Sequence, residues 1–252
     1  MIDLSVFLAL CVIVVIANIV ALPKLLDYSN LYPNHEARSI ERISTISKSI
    51  VLSLGACAVG AYMAPRVGLG APFLHELLDF STPIPNLWNP LRIALVNSFY
   101  VLLGLLLLNV AFVQRHLTTA RYFSMPLQSK VLMEGVVEEV VYRWGLMSVV
   151  ARISVREFNV DPNTAMILAI LLAAVGSSLS HVSDLARLHF DRISMALLAV
   201  ILINFWASLC YGWLFWQHGL TTAILCHALV VLISTYAYKI SHLSFDLQPE
   251  NP

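Results

Sequence analysis

Three acids and one base interrupt an otherwise apolar run at residues 134–146, EGVVEEVVYRWGL. Glu139 and Arg143 are four residues apart with the acid nearer the N-terminus, which on a helix is the favourable order for an ion pair. Glu138 stands about 100° around an α-helix from Glu139, so one arginine does not serve both equally. Its nearest same-face neighbours are Glu134 and Tyr142. A carboxylate in apolar surroundings with no cation of its own is suited to act as a general base. Two histidines, His181 and His227, lie within or at the edge of later apolar runs. The others (His35, His75, His116, His189 and His242) fall in expected loops or tails, and His218 falls in the turn WQHGL. One glutamate and two histidines on three separate helices suit the activation of water, or a proton relay.

Such chemistry needs elements to hold it. The chain has 252 residues, 59% of them hydrophobic and 12% charged, with a mean hydropathy of +0.79. Soluble domains carry about a quarter charged residues, so the composition is that of a polytopic membrane protein. Net charge is zero and the basic residues are scattered, which excludes nucleic acid as a partner. Cys11, Cys57, Cys210 and Cys226 lie in apolar runs without paired spacing and read as small hydrophobes.

A helix crosses the hydrocarbon core with roughly 20 apolar residues. That rule predicts spans at 2–22, 49–64, 91–113, 131–153, 164–181, 194–216 and 221–238. An eighth hydrophobic element falls within 65–90, where LHELLDF reads as a short amphipathic helix. The fold class expected is an all-α membrane bundle of about 7–8 transmembrane helices. It forms one membrane domain over 1–252, with N-terminal helices (1–130), a charged core (131–238) and a short tail (239–252). The first run has only Asp3 before it and no cleavage pattern after it, and reads as a retained helix.

Lys24, Arg38, Arg42, Lys48, Arg115, Arg121, Lys130, Arg187, Arg192 and Lys239 fall on one side of these spans. Only Arg66, Arg92, Arg152 and Arg156 fall on the other, which places the N-terminus outside and the C-terminus in the cytoplasm. Counted from that cytoplasmic boundary, Glu138, His181 and His227 lie at depths of roughly 12, 9 and 18 Å. They share a layer, and Glu134 belongs to the membrane edge.

EEVVYR, from Glu138 to Arg143, resembles the EExxxR motif of the CPBP intramembrane proteases, the Abi or type II CAAX prenyl endopeptidase family. GSSLSH, ending at His181, is similar in place to the family's FxxxH, and CHALVVL at His227 to its HxxxN. The resemblance covers roughly 131–238 and implies hydrolysis of a peptide bond in a membrane-embedded or membrane-tethered, CAAX-type substrate. It assigns water activation to Glu138 and His181, and assistance to water or the oxyanion to His227. Glu139 and Arg143 match the supporting pair. No cofactor is favoured, since no HExxH helix pre-forms a zinc site; the alternative is a divalent metal such as zinc on Glu138, His181 and His227.

The chain departs from the family's pattern at three positions. Ser177 replaces the Phe of FxxxH, Trp144 follows the arginine where Gly is common, and Val231 replaces the Asn of HxxxN. Loss of one oxyanion donor costs roughly 100- to 1000-fold in rate. Ser180 and Asn204 are the substitutes within reach of the reading, and Ser177, Ser178 and Ser180 are the expected lining of a water path. Two rival readings stand beside the protease: a non-catalytic scaffold or immunity protein binding a partner helix, favoured by Val231, and a proton-coupled transporter. The bilayer is a partner in every case, and in a bacterium the location would be the inner (plasma) membrane.

Overall fold

The computed structural model describes residues 3–29, 35–81, 83–111, 125–186 and 193–246, and no strand occurs among them. In chain order the helices are α1 (Leu4–Ser29), α2 (His35–Met63), α3 (Pro72–Leu78), α4 (Trp88–Ala111), α5 (Leu127–Glu157), α6 (Pro162–Ala186), α7 (Ile193–His218) and α8 (Leu220–Asp246). A 3₁₀ turn, Ala64–Val67, follows α2.

Among the described residues, six stretches are long and apolar enough to cross a membrane: Leu4–Leu26, Arg42–Val67, Trp88–Leu108, Pro162–His181, Leu198–His218 and Leu220–Ile240. The protein is an integral membrane, all-α bundle. Its helices bury one face and leave the other apolar as well: on α1, Val6, Leu10, Val14 and Ala17 are buried while Leu8, Val12, Ile16 and Ile19 are exposed. A helix apolar all round belongs against lipid on one side and protein on the other.

The expected span 131–153 lies inside α5, which is not among those six because it carries Glu134, Glu138, Glu139, Arg143 and Arg152. A charged helix is excluded from hydrocarbon contact unless neighbours cover it. Here α1, α2, α6 and α8 all pack on α5, with α7 touching it more lightly, and α4 sits outside against α7 and α8. The most polar helix is therefore the hub.

The structure corrects several boundaries. Residues 23–48, expected to be a loop, are mostly helical: α1 continues through Pro23 to Ser29, and α2 starts at His35. Ile40, Ile43 and Ile46 recur at helical spacing in that segment, a signal masked by its charges. The tail expected from 239 begins inside α8. The helix expected at LHELLDF forms as α3 over PFLHELL, starting at Pro72 and ending at Leu78, before Asp79 and Phe80. Arg115, Arg121, Arg187 and Arg192, which carry much of the expected charge asymmetry, lie outside the described residues, as do His116 and His189. Lys130, read as a loop charge, is fully buried and donates from Nζ to Thr235 Oγ1 of α8 at 2.9 Å.

Two turns bring the later helices into register. Gly219 adopts φ +82° between α7 and α8, a left-handed conformation that glycine takes freely. Leu220 N then donates to Gly70 O at 3.1 Å, fastening the turn to the segment ahead of α3. At the start of α6, Asp161 Oδ1 accepts from the amides of Asn163 and Thr164, with Pro162 in the first turn. All four cysteines are free thiols.

Candidate active site

The middle of α5, Val131–Met147, is π-helical. Bonding to the fifth residue rather than the fourth widens the turn, so successive side chains are less than 100° apart. Glu138 and Glu139 therefore look into adjacent sectors of the bundle. Each meets a histidine from a different helix.

Glu138 Oε1 lies 3.5 Å from His181 Nε2 of α6, with the side chains 19% and 24% exposed respectively. Glu139 is 0% exposed, and its Oε1 lies 2.8 Å from His227 Nδ1 of α8. Arg143 Nε lies 3.3 Å from Glu139 Oε2, and both side chains are buried. Arg143 Nη2 donates to Ser208 Oγ of α7 at 2.8 Å and to Ser208 O at 3.3 Å. Tyr211, one turn further along α7, stacks on His227 with centroids 4.3 Å apart and planes 20° from parallel. The same ring lies 5.6 Å from Arg143 Cζ. Burying two opposite charges is costly unless the remaining polar atoms are bonded, and Ser208 supplies part of that bonding.

Small residues make these approaches possible. A Cβ on Gly135 would sit 3.3 Å from Ala228 of α8, so bare backbone at Gly135 lets α8 close on α5 one turn before Glu139. Gly176 of α6 is covered by Leu146 and by the ring of Tyr142, which is hydrogen-bonded to Ser180. Trp144, which follows the arginine where Gly is common, is accommodated by α2: a Cβ at Gly60 would overlap it, and its Nε1 donates to Cys57 O at 3.3 Å.

The structure thus brings Glu138 to His181, and Glu139 to His227 and Arg143. His227 hydrogen-bonds to Glu139 and not to Glu138, which the sequence reading did not anticipate. Glu138 has His181 as its neighbour, 3.5 Å away. The other expected residues are differently placed. Asn204 spends its amide on Val200 O at 2.8 Å, in its own helix, and Ser180 Oγ donates to Ser177 O at 2.7 Å. Val231 is buried one turn beyond His227. Ser177 and Ser178 are buried, and Ser178 Oγ is turned back to Ala174 O at 2.7 Å. A cavity of about 380 Å³ lies between α4, α6 and α7, lined by Asn97, Tyr100, Ile170, Cys210 and Trp213 among others. Among the described residues no three His, Cys, Asp or Glu side chains converge as metal ligands.

Ser208 and Tyr211 escaped the sequence reading. Their signal was present: two polar-capable side chains three residues apart in the apolar run ASLCYGW, on one face of α7.

Residues 125–233 match the family described as type II CAAX prenyl endopeptidase, Rce1-like. The resemblance holds. The match spans α5 to the middle of α8 and includes Glu138, Glu139, Arg143, His181, His227 and Val231. It supports an intramembrane protease of the type II CAAX class in general. No curated protein and no solved structure matches the chain significantly.

Proposed function

We propose that the protein is an intramembrane endopeptidase in which Glu138 and His181 activate water and His227 assists. The observation that carries this reading is the Glu138–His181 pair, 3.5 Å apart on two helices of the matched segment and open to about a fifth of its surface. A water resting against both Glu138 Oε1 and His181 Nε2 from their exposed side would give its proton to the carboxylate as its oxygen adds to the scissile carbonyl carbon. The C–N bond then breaks and that proton passes to the leaving amine, so one water is consumed for one peptide bond.

His227 is oriented by Glu139 in the way a carboxylate sets an imidazole in hydrolytic triads. With Nδ1–H given to Glu139, Nε2 is the atom left for the reaction. As an imidazolium it donates to the oxyanion; as a neutral ring it accepts from water. Neither Val231 nor Asn204 adds a donor there.

Substrates are peptides presented from the bilayer, and the family match points to prenylated CAAX tails as the first class to try. The charge distribution orients the N-terminus outside and the cut near the cytoplasmic face. A purified preparation should hydrolyse an internally quenched peptide carrying a farnesylated cysteine four residues from its C-terminus. In cells, the same activity should appear as membrane-protein termini that vanish on Glu138→Gln. Termini unchanged by that substitution, with the protein at normal abundance, would remove the endopeptidase reading. The buried Val231 favours a second reading, a non-catalytic membrane scaffold, which predicts that unchanged result.

A further inference from the structure

The geometry points to Tyr211 as the positioning residue that holds the His227 ring in its working plane, making α7 a third wall of the site. The inference rests on the endopeptidase reading. A hydrogen bond from Nδ1 to Glu139 fixes one atom of the imidazole but leaves the ring free to rotate about that bond. The missing restraint has to come from a surface lying against the face of the ring.

Tyr211 supplies that surface. Its ring lies 4.3 Å from the imidazole and 20° from parallel, and the side chain is buried. Stacked aromatic pairs are favourable beyond the area they bury. The ring is itself held in place, because Arg143 Cζ lies 5.6 Å from its centroid, within cation–π range. Arg143 is tied to Ser208, one turn earlier on α7. Ser208 and Tyr211 thus form a two-point grip, one on the guanidinium and one on the imidazole. Both partners of Glu139 are fixed from α7, and Nε2 of His227 is aimed by the stack.

The inference is specific to the ring. Tyr211→Leu keeps most of the volume and removes the aromatic face, whereas Tyr211→Phe keeps the face and removes only the hydroxyl. With histidine ¹⁵N-labelled protein in detergent micelles, and His227 assigned through a His227→Gln sample, the wild type should give one sharp Nδ1–H cross-peak for His227. Tyr211→Leu should lose it and Tyr211→Phe should retain it. The Glu138-dependent termini in cells should form roughly 100-fold more slowly in Tyr211→Leu, the scale expected for a misplaced reacting group. Tyr211→Phe should rescue them to within about threefold.

Should Tyr211→Leu not accumulate as folded protein, Tyr211→Met carries the same test with a flexible side chain. An unchanged cross-peak together with an unchanged rate in the ring-less variant overturns the assignment. Termini that do not respond to Glu138→Gln overturn the endopeptidase reading instead. The cross-peak still judges the positioning role in that event.

Discussion

Two glutamate–histidine couples stand side by side on one helix, and they are built for different work. Glu138–His181 is loose, at 3.5 Å, and partly open; Glu139–His227 is tight, at 2.8 Å, with its carboxylate fully closed off. The tight couple has a guanidinium, a serine and an aromatic ring around it. The loose one is in contact at 3.5 Å and keeps part of both side chains exposed. Exposed polar surface is what a water molecule needs, whereas short contacts and burial are what an orienting group needs. Neighbouring positions of identical residue type thus diverge because the helices facing them differ.

The sharpest way to break this contrast is to exchange the behaviour of the two acids. Glu138→Gln should reduce the rate of substrate-terminus formation by roughly 100- to 10 000-fold, the range of a lost general base. Thermal unfolding in detergent should barely change, since the residue is partly open. Arg143→Ala should do the reverse in kind: it leaves Glu139 buried without its cation, which costs roughly 3–5 kcal/mol of stability. A chemical-denaturation midpoint that stays at the wild-type value would show that the closed couple is not structural.

Two smaller changes sharpen the comparison. Val231→Asn returns a donor one turn from His227 and should raise the rate, by up to roughly 100-fold if the amide reaches the oxyanion. No increase in the termini assay would mean that this couple serves water and not the oxyanion. Gly135→Val forces α8 away from α5 where a Cβ has only 3.3 Å, and should cost about 1–3 kcal/mol of overpacking. It should lengthen the Glu139–His227 bond while leaving Glu138–His181 in place, which ¹⁵N spectra of the two histidines would distinguish.

The smallest effect lies at the outer rim, where Asp3 pairs with His75 of α3. Burial pushes the Asp3 carboxyl up, but the Val6 amide and His75 outweigh it, and the net value lies below the usual carboxylate range. A lowered folded value stabilises above the unfolded pKa of about 3.9 and is lost as pH falls through the folded one. Hydrogen exchange at the start of α1 should therefore quicken below about pH 4 in the wild type and show no such step in Asp3→Asn.

Much of the architecture was legible in the residues themselves. Apolar runs long enough to cross a bilayer have no other stable home, so the membrane bundle and most of its helices follow from composition and length. The charges of EGVVEEVVYRWGL had to lie inside that bundle, because hydrocarbon does not tolerate them, and the Glu139–Arg143 pair follows from a four-residue spacing. That His227 serves Glu139 did not follow. That choice depends on the π-helical winding of α5, on Gly135 and Gly176 admitting α8 and α6, and on α7 presenting Ser208 and Tyr211 together. Sequence spacing sets angles around one helix, whereas the pairing of residues 43 and 88 positions apart is set by how separate helices pack.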